Sequence, residues 1–481
     1  MTIARRHGAR ILPYHVHPPT KPLACDRYPI AGGRDAKEAI GAATSGDERI
    51  ADRGSAGAVM AHLARMTTSA ASTPAQKPGF VEFVCLVAAL MAMNALAIDS
   101  MLPALPHIGE DLQVASANGV QWVVTAYLLG FGAAQLIYGP LADRYGRKPI
   151  LMIGVGIYVL FSLLATLAPT FDTLIAARIG QGLGSAATRV LVVSIVRDRY
   201  SGRDMARVMS LSFLVFLGVP ILAPSVGALI MQFGPWRWIF GVLMAFGLSV
   251  MVWALIRLPE TLHPEYRQPI QIKRIMSGFL EALTNRVSVG YTLAMGALMG
   301  GLFGFINSAE QIFSQVFNAP EVFPLVFAAI AGGIAVASLL NARLVGRLGS
   351  RLISHAALIA FIVIGAVHAL VALSGLETIW TFAVLQALTM FCFGLMAGNF
   401  GSMAMEPMGH IAGTASSAQG FISSIGGALL GFAIGQQFDG STMPMTVGFV
   451  LLGVAALALV LAAEKGRLFK AQHLPPPAAK A

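Results

Sequence analysis

Asp99, Glu310 and Arg178 stand where charge is costly. Each falls inside a long apolar stretch: AIDSMLPALPHI around Asp99, FGFINSAEQIFSQVF around Glu310 and ARIGQGLGSAATRV around Arg178. An ionised side chain among apolar residues costs several kcal/mol unless it is paired or faces a wet cavity. Desolvation helps a carboxyl keep its proton, and a neighbouring arginine opposes that. Such groups suit the uptake and release of protons. The chemistry of bond cleavage is harder to place. The chain has no HExxH helix, no nucleophile elbow and no paired metal ligands. Cys25, Cys85 and Cys392 are far apart and form no CxxC, so neither a disulfide framework nor a zinc site is indicated. No cofactor is called for.

The elements that carry these residues follow from composition. The chain has 481 residues, of which 56% are hydrophobic and 12% charged, against about 25% charged in a soluble domain. Mean hydropathy is +0.71. That balance points to an all-α polytopic membrane protein, in which a spanning helix needs about 20 apolar residues. Twelve such runs are legible, at about 80–103, 119–141, 149–168, 172–196, 205–232, 236–257, 287–315, 321–342, 352–374, 377–403, 411–436 and 443–463. The expected organisation is a disordered extension over 1–78, six spans over 79–258, a linker over 259–286, six spans over 287–465 and a tail over 466–481. Residues 1–65 are rich in Arg, Gly, Ala and Pro and lack apolar periodicity, which reads as disorder. They also lack the apolar core of a cleavable signal. Translation starting at Met60 or Met66 is one expectation for this region.

The net charge of +10 is distributed by side. Loops on the N-terminal side carry Arg144, Arg147, Lys148, Arg197, Arg199, Arg203, Arg207, Arg257, Arg267, Lys273, Arg274, Arg286, Arg343, Arg347 and Arg351. The opposite loops carry Arg237 against Glu110, Asp111, Asp172, Glu321, Glu377 and Asp439. Basic loops remain in the cytoplasm, so both termini are expected there. The charge is a topology signal and calls for no nucleic acid.

The loop between spans 2 and 3 reads GPLADRYGRKP. A phosphate-binding loop is excluded, because no GxxxxGK[ST] is present and no strand precedes it. Gly139, Leu141, Asp143, Arg144, Gly146, Arg147 and Lys148 resemble the G-x-L-x-D-R-x-G-R-[KR] signature of the major facilitator superfamily. A degenerate copy follows between spans 8 and 9. There Leu344, Arg347, Gly349 and Arg351 match, and Gly346 stands where Asp143 does. Arg178, Gln181, Gly182 and Gly184 resemble the family's R-x-x-Q-G-x-G motif. In GVPILAPSVGALI, Pro220, Pro224 and Gly227 resemble the antiporter motif of span 5, with Ala228 replacing its last glycine. The D-x-x-LP-x-LP pattern from Asp99, the segment TAYLLGFGAAQLIYGPLADRYGRKP and AGTASSAQGF at 412–421 resemble the Bcr/CflA group of drug exporters.

That resemblance implies the major facilitator fold, with two six-helix bundles whose spans 1, 4, 7 and 10 line a central cavity. It implies proton-driven export of amphiphilic drugs across the bacterial inner membrane by alternating access, by a lipid-embedded monomer. A facilitator of a specific metabolite would share the fold. A membrane enzyme or receptor finds no support in the motifs. The loop signature implies a cytoplasmic gate, with Asp143 facing the start of span 11 near Gly413, Thr414, Ala415 and Ser416 and with Pro140 and Gly146 breaking helical continuity. Arg147 and Lys148 also read as topology anchors.

Asp99 is the expected proton carrier, or else a helix-end acid bonded to backbone. Asn307, Glu310, Gln311 and Ser314 share a helical face by their spacing, as do Arg178, Gln181 and Ser185. Glu310 is expected to bind a cationic substrate or share a proton with Asp99; exposure at the mouth of span 7 is the other reading. Arg178 is expected to line the cavity and modulate the proton site, or to be tied to carbonyls or an acid. Asn399 completes the polar lining. Met91, Met93, Tyr127 and Phe303 supply apolar lining. Glu82 reads as interfacial, His368 as structural and Glu406 as outside the pocket. Arg189 is a second arginine within span 4 and lies outside the motif.

Overall fold

Lipid offers a backbone no hydrogen bonds, so a chain this apolar must satisfy its own amides as helices. The computed structural model describes residues 78–469, and every long element in it is a helix. The first half contains α1 Phe80–Asp99, a short α2 Leu105–Asp111, α3 Trp122–Tyr145, α4 Arg147–Thr166, α5 Phe171–Arg199, α6 Gly202–Phe233 and α7 Arg237–Arg257. After α8 Ile272–Thr284 come α9 Arg286–Gln311, α10 Phe323–Leu348, α11 Ser350–Leu373, α12 Ile379–Met405, α13 Ala412–Gly435 and α14 Met443–Ala463. The twelve helices other than α2 and α8 match the twelve apolar runs. A kinked turn at Met408 separates α12 from α13. Leucines such as Leu160, Leu222, Leu370 and Leu451 are more than half exposed, an outer surface suited to lipid. The expected disorder of residues 1–77, the expected start sites and most of the tail lie outside the described residues.

Two local devices recur in both halves. Thr170 and Thr173 form a reciprocal capping box at the start of α5, and Thr378 and Thr381 form the same box at the start of α12. Gly146 ends α3 at φ 107°, and Gly349 ends α10 at φ 80°, a region that favours glycine. Helix α3 packs on α5 and α9 packs on α13. The halves meet where α3 crosses α13 and α6 crosses α10.

Two expectations need correction, and the linker holds a helix of its own. Pro140 does not break α3, which continues to Tyr145; only Gly146 stops it. The ring removes one donor, and the helix absorbs the loss, as membrane helices do. Within the linker, α8 forms. Its Ala282 and Phe279 pack on Met408, Ala415 and Ala418, while Ile272, Met276 and Leu280 form an exposed apolar stripe at four-residue spacing. Glu82 is not simply solvated. Arg257 Nε and Nη2 lie 2.5 and 2.6 Å from its carboxylate, tying the start of α1 to the end of α7.

Pro220 and Pro224 lie inside the unbroken α6. Gly227 on the same helix sets the closest approach to α1. A Cβ there would lie 1.7 Å from the carbonyl oxygen of Ser100. Gly227→Ala should therefore destabilise the protein by about 1–3 kcal/mol. Gly218→Ala, where nothing lies within 4 Å, should be neutral or mildly stabilising. Thermal unfolding in detergent compares the two.

Candidate functional site

Asp99 is the last residue of α1 and is buried, with Oδ1 lacking any partner. It adjoins Ser100, whose carbonyl rests on Gly227, so the structure brings the α1 acid and the α6 motif together. Asn307 on α9 is also buried, and neither its Nδ2 nor its Oδ1 is bonded. Glu310, one turn on, is buried beside the Ser314 hydroxyl and is not exposed at a mouth. Buried polar atoms are nearly always paired, so unpaired ones on α1 and α9 mark positions kept for something other than packing.

Arg178 behaves differently. It is fully buried. Nε donates to the Val123 carbonyl at 2.8 Å, Nη1 to Gln181 Oε1 at 2.5 Å and Nη2 to the Ala97 carbonyl at 3.1 Å. Gln181 in turn donates to Ser162 at 2.8 Å. The guanidinium also lies 4.5 Å from the Tyr127 ring centroid. Arg178 thus clamps α1, α3 and α5 through main-chain carbonyls. Tyr127 extends the clamp: its hydroxyl donates to Asn94 Oδ1 at 2.8 Å and lies 2.7 Å from the Ser185 hydroxyl.

Gln311 does not stand beside Glu310 in a pocket. It joins the two halves. Gln121 Nε2 donates to Gln311 Oε1 at 2.6 Å and to the Gly435 carbonyl at 3.0 Å. Gln311 Nε2 reaches Asn118 Oδ1 at 3.1 Å. Asn118 donates to the carbonyls of Gln436 and Phe438, and Gln436 returns a bond to the Asn118 carbonyl at 2.8 Å. Trp122 and Phe432 meet beside them, with centroids 4.3 Å apart. Further along α3, Gln135 donates to Ser424 of α13 at 2.9 Å. Asn399 is spent on a reciprocal amide pair with Asn341, which ties α12 to α10.

At the other end of α3, Arg147 is buried and reaches Asp143 at 2.6 Å and Asp198 at 3.1 Å. Glu260 caps the start of α4, accepting from the amides of Arg147 at 2.9 Å and Lys148 at 3.2 Å. Gly146 makes room for it, since a Cβ there would lie 2.4 Å from Glu260 Oε2. Lys148 Nζ donates to the Leu255 carbonyl, and Arg144 lies over Tyr145.

These elements were compared with known proteins. The sequence model of the Major Facilitator Superfamily matches residues 87–431. The chain belongs to that superfamily. This is a family of transporters, so the protein is a multi-pass membrane transporter and not an enzyme. It is 32% identical over 380 residues to an uncharacterised facilitator-type transporter, YdgK of Bacillus subtilis (strain 168), covering 78% of this chain and 93% of that one. It is 30% identical to a bicyclomycin resistance protein homolog of Haemophilus influenzae (80% and 96% covered). It is 28% identical to multidrug resistance protein D of Escherichia coli K12 (73% and 87% covered). Among solved structures, the xylose transporter XylE from E. coli, in a partially occluded inward-open conformation, aligns with a TM-score of 0.63 at 14% identity, covering 82% of this chain and 99% of that one. The human organic anion transporter MFSD10 aligns at 0.58 and 15%, covering 80% and 100%.

The facilitator signature is engaged in an arrangement other than the expected one. Asp143 is held by Arg147, and its carbonyl accepts from the Gln268 amide at 3.1 Å. Among the described residues it makes no hydrogen bond to α13. Gly139 is the approach point, where a Cβ would lie 3.6 Å from Ser417 Oγ. In the second half Arg351 binds Glu464 at 2.8 Å and Glu406 at 3.0 Å. Tyr291 joins Glu464 at 2.8 Å and His355 at 3.0 Å. Glu260, Gln121, Asn118, Gln436 and Glu464 carry structural weight that no motif announced. Only Glu260, acidic among the basic loops, offered a signal in composition.

Arg178→Lys should destabilise the protein by about 1–3 kcal/mol, because one ammonium cannot satisfy three acceptors in a plane. An unchanged melting temperature in detergent would refute the clamp.

Proposed function

We propose that this transporter exports small amphiphilic molecules across the bacterial inner membrane in exchange for protons, by alternating access. The observation that carries the reading is Asp99: an enclosed carboxyl oxygen with no partner, at the junction of α1 and the α6 motif. Such a group takes a proton when closed off and loses it when water arrives. Glu310 and the unpaired Asn307 on the facing helix α9 supply a second polar wall. The relatives named for bicyclomycin and multidrug resistance support drug-like substrates.

The distribution of links supports an inward-facing arrangement. Amide hydrogen bonds fasten the halves at the Gln121 end, whereas at the Tyr145 end Gly139 and Ser417 only approach. The basic loops support a cytoplasmic position for the Tyr145 end and both termini. The protein works as a monomer in lipid in this reading.

Asp99→Asn should reduce drug-triggered proton release from energised vesicles at least tenfold while leaving the amount of protein in the membrane unchanged. Normal release in this variant would remove Asp99 from the mechanism. A substrate that moves without any proton flux would favour a metabolite facilitator. For the gate, Gln121→Cys paired with Gln311→Cys in a background lacking the native cysteines should cross-link, and the cross-link should arrest transport reversibly. Full transport while cross-linked would overturn the assignment of this end as the outer gate.

A further inference from the structure

Arg189 has no assigned work. It lies eleven residues beyond Arg178 on α5, which is three turns plus about 20°. The two arginines therefore share a face. The donors of Arg178 end on Ala97 of α1 and Val123 of α3, so that face points between α1 and α3. Helix α3 is the one that crosses α13, which directs the face toward the junction of the two halves.

Between the arginines, Asn94, Tyr127 and Ser185 knot α1, α3 and α5 together. Arg189 stands one turn beyond that knot, with its side chain exposed in the structure. Among the described residues it makes no hydrogen bond, ion pair or ring contact. Asp198, further along α5, is occupied by Arg147. Asp99 is at the level of Arg178, about 16 Å away along the helix axis at 1.5 Å per residue. A guanidinium this deep in a membrane protein with no counter-charge is expensive, and its planar fork matches an oxyanion.

We propose that Arg189 is the recognition group for an anionic headgroup, a carboxylate or its equivalent, on the exported amphiphile. The proposal deepens the transport reading above and rests on it for the word exported; the anion site itself does not need the proton cycle. Arg178, fully buried and held on three sides by α1, α3 and Gln181, cannot serve this role.

The test is equilibrium binding to the purified full-length protein in detergent, without any gradient. The probes are aromatic carboxylates of one to three rings, such as 1-naphthylacetate, each paired with its neutral amide. In the wild type the acids should bind about tenfold more tightly than the amides. Arg189→Gln should abolish that preference while leaving amide affinity within about twofold, which also reports that the variant is folded. Arg189→Lys should retain a several-fold preference. If no acid outbinds its amide in the wild type, or if the preference survives in Arg189→Gln, the proposal falls. If the preference holds while Asp99→Asn still exports normally with protons, the coupling scheme falls and the anion site stands.

Discussion

Hydrocarbon accepts no hydrogen bond, and most of what this structure does with its polar atoms follows from that. Backbone amides are consumed in helices, and exposed helix starts are closed by threonine boxes on α5 and α12. The same demand explains Arg178. A guanidinium between three helices can be kept only if each edge finds an oxygen, and two of its three acceptors are main-chain carbonyls. Where the demand is left unmet, the exceptions include Asp99 on α1 and Asn307 on α9, beside others such as Tyr158 on α4 and Gln386 on α12. The transport reading is built on the first two.

The two halves use one backbone device for different ends. Gly146 and Gly349 both turn the chain from one helix into the next with positive φ. In the first half the turn is filled by Glu260, and Arg147 is divided between Asp143 and Asp198. In the second half a glycine stands where Asp143 does and Ser350 where Arg147 does, while Arg351, which matches Lys148, pairs with Glu464 and Glu406.

The twelve apolar runs were legible because a spanning helix must be long and apolar along its whole length, and the loop motif because it is dense in charge and glycine. Element α8 was missed because a span is recognised by length and continuous apolarity; its thirteen residues carry a clear helical periodicity but neither of these. The fate of Arg178 was open in the sequence because carbonyl acceptors belong to every residue and mark none. Gln311 was placed on the right face, but its partners Gln121 and Asn118 lie some 190 positions away, and no local pattern encodes such a pairing. Asn399 shows the same blindness: helical spacing gives a direction, and only packing tells whether Asn341 is already there.

The amide clasp has a consequence of its own. Asn118, Gln121, Gln311 and Gln436 are uncharged at any acidity a cell survives, and their bonds are hardly screened by salt. At the Tyr145 end each half is instead held within itself by carboxylates and guanidinium groups, whose hold depends on ionic surroundings. The link between the halves is thus indifferent to the medium it meets, while the ion pairs at the other end are sensitive to it. That division suits a protein whose one side meets an unregulated environment and whose other side meets a buffered one.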